Sequence, residues 1–212
     1  AQIDTGDGSL GACTRATFSG GGTYNCASLD ISAGAAVTFG NGAAPVIIKV
    51  QGNVTINAAI SVAGVAGNPD LNINGANQNG GLNGPGATPG GGVLAGSFAP
   101  QNGSDHITAT DSNGKAGSNG ACGGGGGGGA FAIAGDPGSD CTIIGPSGAG
   151  GNIFYSDIPS PLLGGLGGGS GGDGFPGFYG AGGGGGGAIL IMAGGNIIIN
   201  GNISARGGKG GD

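Results

Sequence analysis

Four cysteines are the residues whose type and spacing most clearly specify a chemistry in this chain of 212 residues. Cys13 and Cys26 form one sequence-local pair, and Cys122 and Cys141 form another. Because the chain has no Cys-x-x-Cys motif and His106 is its single histidine, the ligand spacing of a zinc site is missing. The spacing predicts the disulfides Cys13–Cys26 and Cys122–Cys141, each worth about 3 kcal/mol. Crossed connectivities stay open on the sequence alone.

Two glycine-rich stretches carry an aspartate in the spacing of the calcium-binding pattern G-G-x-G-x-D. They are Gly168–Asp173 and Gly207–Asp212. Calcium needs carboxylate and carbonyl oxygens from tandem copies. These two copies stand apart, and a chain with 61 glycines produces such matches through composition. We therefore expect no cofactor and no metal, and Asp173 and Asp212 are the weak calcium candidates.

His106 is the one candidate for a general base, with Asp105 and Asp111 nearby in the sequence. Catalysis also needs a nucleophile or a metal in a defined geometry. The chain has no His-Glu-x-x-His and no glutamate. We expect a loop histidine and a protein that is not an enzyme. Asp4 and Asp7 are interpreted as parts of a polar N-terminal turn.

Aromatic side chains form the most apolar loop region of the chain. The candidate interaction patch consists of Phe154, Tyr155, Phe175, Phe178 and Tyr179. One interpretation is a satellite core beneath the glycine-rich segments. The other is an exposed patch that docks a neighbouring subunit or a surface ligand.

Composition limits the elements that can position these residues. Glycine is roughly four times as frequent as in average proteins, and it costs about 1 kcal/mol relative to alanine inside a helix. Asn-Gly steps recur along the chain and are turn signals. We therefore predict an all-β fold of short strands with almost no helix.

An internal repeat is the strongest strand signal. Residues 46–64 read VIIKVQGNVTINAAISVAG, and residues 188–207 read AILIMAGGNIIINGNISARG. Such units stack as rungs of a β-solenoid or β-helix, while a sandwich or meander of antiparallel hairpins is the competing fold. The alternation in NVTIN places Val54 and Ile56 on one side and Thr55 on the other. The predicted core includes Ile48, Ile56, Ile60, Ile191, Ile199 and Ile203.

These signals divide a single glycine-rich β domain, residues 1–212, into parts. Residues 1–34 form the disulfide-bearing N-terminal segment. Residues 35–67 and 188–207 hold the repeated strand units. Residues 68–187 form a glycine-rich loop or polyglycine region.

The glycine blocks at 123–129 and 182–187 are either flexible linkers or polyglycine II helices. Such helices have three residues per turn and no internal hydrogen bonds, so they are stable only in bundles. We favour bundles, with Gly126 and Gly185 as packing residues. Gly103 is interpreted as part of a surface turn.

Residues 182–211, GGGGGGAILIMAGGNIIINGNISARGGKGG, resemble a unit of large secreted glycine-rich bacterial surface or extracellular-matrix proteins. In that unit a polyglycine run leads into an apolar strand, a Gly-Asn turn and a second strand. Residues 35–67 are similar to it more weakly. The resemblance implies an extracellular location and a surface or matrix role, and it supplies no catalytic residue.

The net charge and the lengths of the apolar runs limit the possible binding partners. A net charge of −6 makes nucleic acid a poor partner, and no apolar run reaches the ~18 residues of a membrane helix. The first hypothesis is a secreted structural subunit that assembles with copies of itself into a fibre or matrix. The second is an adhesin domain whose loop region, residues 65–180, binds cell-surface or matrix components. Ice binding by a polyglycine bundle is the third.

Overall fold

The computed structural model describes residues 3–67, 80–92, 102–103, 114–116, 136–138, 148–150, 162–171 and 180–210. Within these ranges a single turn of 3₁₀ helix, Arg15–Thr17, accompanies short strands. The strands are β1 Ala12–Cys13, β2 Gly22–Cys26, β3 Ser28–Ile31, β4 Val37–Thr38, β5 Val46–Val50, β6 Val54–Ile56, β7 Ile60–Ser61, β8 Ile189–Ala193, β9 Ile197–Ile199 and β10 Ile203–Ser204. The predicted all-β class is confirmed. No helix in these ranges is long and apolar enough to cross a membrane.

Three sheets gather the strands, and every pairing among the described strands is parallel. The sheet orders are β2-β5-β8, β1-β3-β6-β9 and β4-β7-β10. Successive strands therefore visit the three sheets in turn, and we call each such set of three a rung. Rung 1 is β2 to β4, rung 2 is β5 to β7, and rung 3 is β8 to β10. The antiparallel pairs of a hairpin sandwich do not occur among these strands.

The sequence repeat corresponds to the stacking of rung 3 on rung 2. Ile48 pairs with Ile191 and Ile60 pairs with Ile203. Both repeat copies are strands, as predicted, and they are neighbours although residues 68–187 lie between them in sequence. Their β-branched residues suit a pleated, half-buried surface. Gly-Asn steps at 52–53 and 195–196 separate the first two strands of rung 2 and of rung 3.

The core lies inside rungs 1 and 2. Val54 and Ile56 are buried and Thr55 is half-buried, which is the predicted alternation. The buried aliphatic and aromatic members of the core are Leu29, Ile31, Val37, Phe39, Val46, Ile48, Val50, Val54, Ile56, Ala58, Ile60 and Val62. Burial of such side chains contributes about 1.5–3 kcal/mol each.

The predicted core isoleucines divide between the rungs. The three in rung 2, Ile48, Ile56 and Ile60, are buried as expected, and Ile191 and Ile203 of rung 3 are partly buried against the core. The prediction for Ile199 is wrong, because this side chain is exposed. It lies on β9, at the edge of its sheet, where no described strand covers it.

Candidate assembly interface

The glycine-rich segments beside the strands form a tightly hydrogen-bonded layer. We call it the glycine layer, and it comprises residues 62–67, 80–91, 164–168, 182–187 and 205–209. Residues 182–187 lie at its centre, lead directly into β8, and are all buried. Their backbone groups are hydrogen-bonded to all four other segments. The oligoglycine block is therefore ordered by its neighbours and does not behave as an isolated linker.

Partners in the glycine layer recur at every third residue. Gly182 and Gly185 donate to the carbonyls of Gly91 and Thr88, and they accept from the amides of Gly81 and Gly84. Gly184 and Gly187 donate to the carbonyls of Val65 and Val62, and Gly183 and Gly186 accept from the amides of Gly168 and Gly165. A period of three matches a helix with three residues per turn.

Glycine is required at these positions because there is no room for a side chain, and not because of the backbone conformation. The φ angles of residues 182–187 lie outside the left-handed region. A Cβ added at Gly185 would collide with the carbonyl oxygen of Gly165, and one added at Gly184 would collide with that of Leu82. The main chains thus approach each other too closely for any side chain.

The structure corrects the interpretation of Gly103 as part of a surface turn. Gly103 is buried, and its amide donates to the carbonyl of Gly114 at 3.0 Å. A Cβ here would collide with the carbonyl oxygen of Gly167. The Asn-Gly step that suggested a turn therefore belongs to close backbone packing. Gly40 is exposed and has open space around it.

A disulfide closes the outer side of rung 1. Cys13 and Cys26 are bonded, as predicted, with 5.6 Å between their Cα atoms and both side chains buried. The bond ties β1 to the end of β2, and β1 continues the middle sheet past rung 1. The segment before rung 1 is therefore fixed against the strand stack.

Aromatic side chains strengthen the same end. The ring centroids of Phe18 and Tyr24 are 4.9 Å apart, and those of Phe18 and Phe39 are 5.5 Å apart. The Tyr24 hydroxyl donates to the carbonyl of Gly20 at 2.7 Å. We call this part of the molecule, residues 9–20 with Tyr24 and Phe39, the capped end.

Residues 3–8 run along a corner of the stack, across the ends of the β2-β5-β8 sheet. The Lys49 ammonium binds the Asp4 carboxylate, and the Gly6 amide donates to Asp4 Oδ1 at 3.0 Å. These bonds hold the pKa of Asp4 below its ordinary value, with the Lys49 hydrogen bond as the largest cause. The Ser9 amide lowers the pKa of Asp7 in the same way. Both aspartates thus lie in polar turns, as expected.

Rung 3 presents the opposite situation, and we call its outer side the open end. Leu190, Ile197, Ile198 and Ile199 are 39%, 46%, 50% and 48% exposed. Ile197 and Ile199 pair with the buried Val54 and Ile56, so they occupy core positions that no described strand covers. Residues 189–204 contain no charged side chain. An apolar strand edge without lysine, proline or another blocking residue is a template for further pairing.

Asparagines join rungs 2 and 3 at two corners. The Asn196 amide donates to Asn53 Oδ1 at 2.9 Å, and Asn200 Nδ2 donates to Asn57 Oδ1 at 2.8 Å. We call these two contacts the asparagine ladders. The Asn196 backbone amide bonds to the Asn53 side chain, and the Asn200 side chain bonds to the Asn57 side chain, which the sequence did not reveal because both contacts require the parallel register. The ladder ends at Asn196 and Asn200, on the open end.

Several predicted site residues fall outside the described ranges. They are Cys122, Cys141, Gly126, His106, Asp173, Asp212, Phe154, Tyr155, Phe175, Phe178 and Tyr179. The second disulfide, the calcium candidates and the aromatic patch therefore stay predictions. Within the described ranges no group of three or more histidine, cysteine or acidic side chains is placed to hold a metal ion.

Comparison with known proteins gives no significant match to any family model, curated protein or solved structure.

Proposed function

We propose that this protein is a structural subunit of a secreted extracellular assembly and that it associates with copies of itself through strand edges and glycine backbone packing. The observation that carries the proposal is the uncovered rung 3, where two core-position isoleucines are about half exposed. The outer side of rung 1 is covered by a disulfide, a helical turn and packed rings. Association with another copy removes such an apolar end from water, which is favourable.

In this proposal the three rungs are turns of a parallel β-solenoid. Support comes from the in-register stacking of equivalent isoleucines and from the asparagine ladders. Each rung buries its apolar face on its neighbours. A terminal rung of a solenoid therefore needs a cap or a partner.

The glycine layer, in the same proposal, is a bundle of polyglycine II helices beside the solenoid. Its support is the period of three in the hydrogen bonds and the contacts of residues 182–187 with four other segments. Backbone-to-backbone bonding of this kind repays the conformational entropy that each ordered glycine loses.

An extracellular location is proposed from chemistry and from resemblance. Buried disulfides persist in oxidising compartments, and Cys13–Cys26 is buried. The likeness of residues 182–211 to secreted glycine-rich surface proteins points the same way.

Self-association is tested by light scattering after size-exclusion chromatography, over a range of concentrations, together with negative-stain electron microscopy. The oxidised full chain is expected to form concentration-dependent oligomers or larger ordered assemblies. Monodisperse single copies at every concentration would overturn the proposal, and the adhesin hypothesis would then take its place.

The glycine layer is tested separately by Gly185→Ala, with Gly40→Ala as the matched control. The added methyl at position 185 collides with backbone, so we expect a loss of about 1–3 kcal/mol in the free energy of unfolding. Gly40 has space for a methyl, and its variant is expected to be neutral or slightly stabilised. Urea unfolding measures both. Equal effects would show that the layer does not need glycine.

A further inference from the structure

The strand β9 and its flanking corners have a sequence that reads the same in both directions. Residues 196–200 are Asn-Ile-Ile-Ile-Asn, centred on Ile198. When two identical strands pair antiparallel about a two-fold axis, each residue meets its mirror position in the sequence. A palindrome therefore places isoleucine against isoleucine and asparagine against asparagine.

The free backbone groups of β9 have the pattern that this pairing needs. The Val54 amide donates to the carbonyl of Asn196, and the Asn200 amide donates to the carbonyl of Ile56. Peptide groups of a strand point alternately to its two sides, so Asn196, Ile198 and Asn200 face β6. The amide and carbonyl of Ile197 and of Ile199 consequently face the open side. In an antiparallel ladder such residues form the pairs that exchange both hydrogen bonds.

We propose that β9 pairs antiparallel with β9 of a second copy of this chain, with Ile198 on the two-fold axis. Ile197 then exchanges both backbone hydrogen bonds with Ile199 of the second copy. Asn196 comes beside Asn200 of the second copy, at the ends of the asparagine ladders. The same rotation places β8 over β10 of the second copy, so the open ends cover each other.

A second copy fits this edge better than a head-to-tail neighbour does. The capped end carries the disulfide and the Phe18–Tyr24–Phe39 cluster, so it offers no equivalent uncovered rung. Each copy carries a net charge of −6, yet residues 189–204 are uncharged, so repulsion is least where the open ends meet. The inference rests on the proposed self-association and specifies its first contact as a closed, two-fold dimer.

Cross-linking through a single cysteine tests the pairing. In the proposed dimer Ile198 faces itself in a non-hydrogen-bonded pair, where Cα atoms are about 4.5 Å apart, within the range for a disulfide. Ile198→Cys is expected to form a covalent dimer under mild oxidation. Leu190→Cys is the matched control, exposed on the same end but facing β10 of the second copy, so it is expected to stay monomeric on a non-reducing gel.

A charge substitution provides the second arm. The Ile198 side chain pairs with the half-buried, outward Thr55, so Ile198→Lys leaves the core intact, which circular dichroism verifies. Two lysines facing each other are expected to raise the dimer dissociation constant at least about tenfold. Leu10→Lys, an equally exposed position at the capped end, is expected to leave the dissociation constant unchanged.

The outcomes separate this inference from the proposed function. Cross-linking of Ile198→Cys alone, with dissociation by Ile198→Lys alone, supports the two-fold dimer. Equal cross-linking of both cysteine variants, or no effect of Ile198→Lys, overturns it. Larger assemblies that persist unchanged in Ile198→Lys overturn the dimer contact and leave the proposed function standing. A wild-type chain that never associates overturns both.

Discussion

The two ends of the strand stack contain similar residues, but these residues are buried at one end and exposed at the other. Ile31, Ile56 and Ile199 occupy equivalent positions in rungs 1, 2 and 3. The first two are completely buried, whereas Ile199 is 48% exposed. Rung 1 is a terminal rung, yet its core side chains are buried, because residues 9–20 and the Cys13–Cys26 disulfide cover it. An apolar strand becomes core only when something is placed over it.

The two ends of the stack therefore have different roles, one in the stability of a single copy and the other in association. The capped end stabilises one copy, since its disulfide, rings and helical turn act within the chain. The open end has apolar surface and free backbone groups without local partners among the described residues. Association is consequently directed to one end of the stack.

Equivalent truncations along the stack give the largest expected effect. Ile31→Ala and Ile56→Ala each leave a cavity in a filled core and should cost about 2–5 kcal/mol. Ile199→Ala removes a half-exposed side chain and should cost about 1 kcal/mol. Urea unfolding of dilute, monomeric protein measures the three values. Equal costs at all three positions would contradict the difference between the ends.

Removal of the capping disulfide comes next. The double variant Cys13→Ala, Cys26→Ala reopens a loop with a sequence separation of 13, and the free energy of unfolding should fall by about 3 kcal/mol. Since the cap is then loosened, the variant should also self-associate more strongly than the parent, through rung 1. Unfolding curves and light scattering test both points. Unchanged stability would show that the rings and β1 suffice as a cap.

Loss of one capping hydroxyl should have a smaller effect. Tyr24→Phe keeps the ring contacts but removes the hydrogen bond to the Gly20 carbonyl, at a cost of about 1 kcal/mol. Thr23→Val deletes a hydroxyl from an exposed residue on the same strand and serves as the control. Thermal unfolding distinguishes the two variants. Equal melting temperatures would show that the Tyr24 hydroxyl does not stabilise the capped end.

The Asp4 carboxylate should contribute least. Its pKa is lowered in the folded state, chiefly by Lys49, so its stabilisation is present above the unfolded pKa and disappears as the pH falls through the folded pKa. Because the group is exposed, Asp4→Asn should leave the melting temperature nearly unchanged at pH 7. The small difference from the parent should vanish as the pH falls through the lowered pKa of the folded Asp4 carboxylate. A difference that grows on acidification would contradict this assignment.

Sequence reasoning found the strands of the two repeat copies because their signals are local. Val54, Thr55 and Ile56 alternate, and glycine and asparagine separate the strands, so periodicity alone located them. The prediction for Gly103 failed for the opposite reason. An Asn-Gly step has the same composition in a surface turn and in a packed layer, and only the distant carbonyl of Gly167 distinguishes them.

The sequence by itself determined the all-β class, the repeat and the strands within its two copies, since each depends on composition or on a local periodic pattern. The Cys13–Cys26 bond was predicted from spacing, and the structure confirmed it over the crossed pairings. The tertiary structure decided which isoleucines are covered, which glycines face backbone, and where the asparagine ladders end. Those properties depend on the parallel register between segments far apart in sequence, such as β6 and β9. Burial is therefore a property of the whole stack. The same strand sequence forms part of the core when it has a neighbour on both sides, and an exposed edge when it has a neighbour on one side.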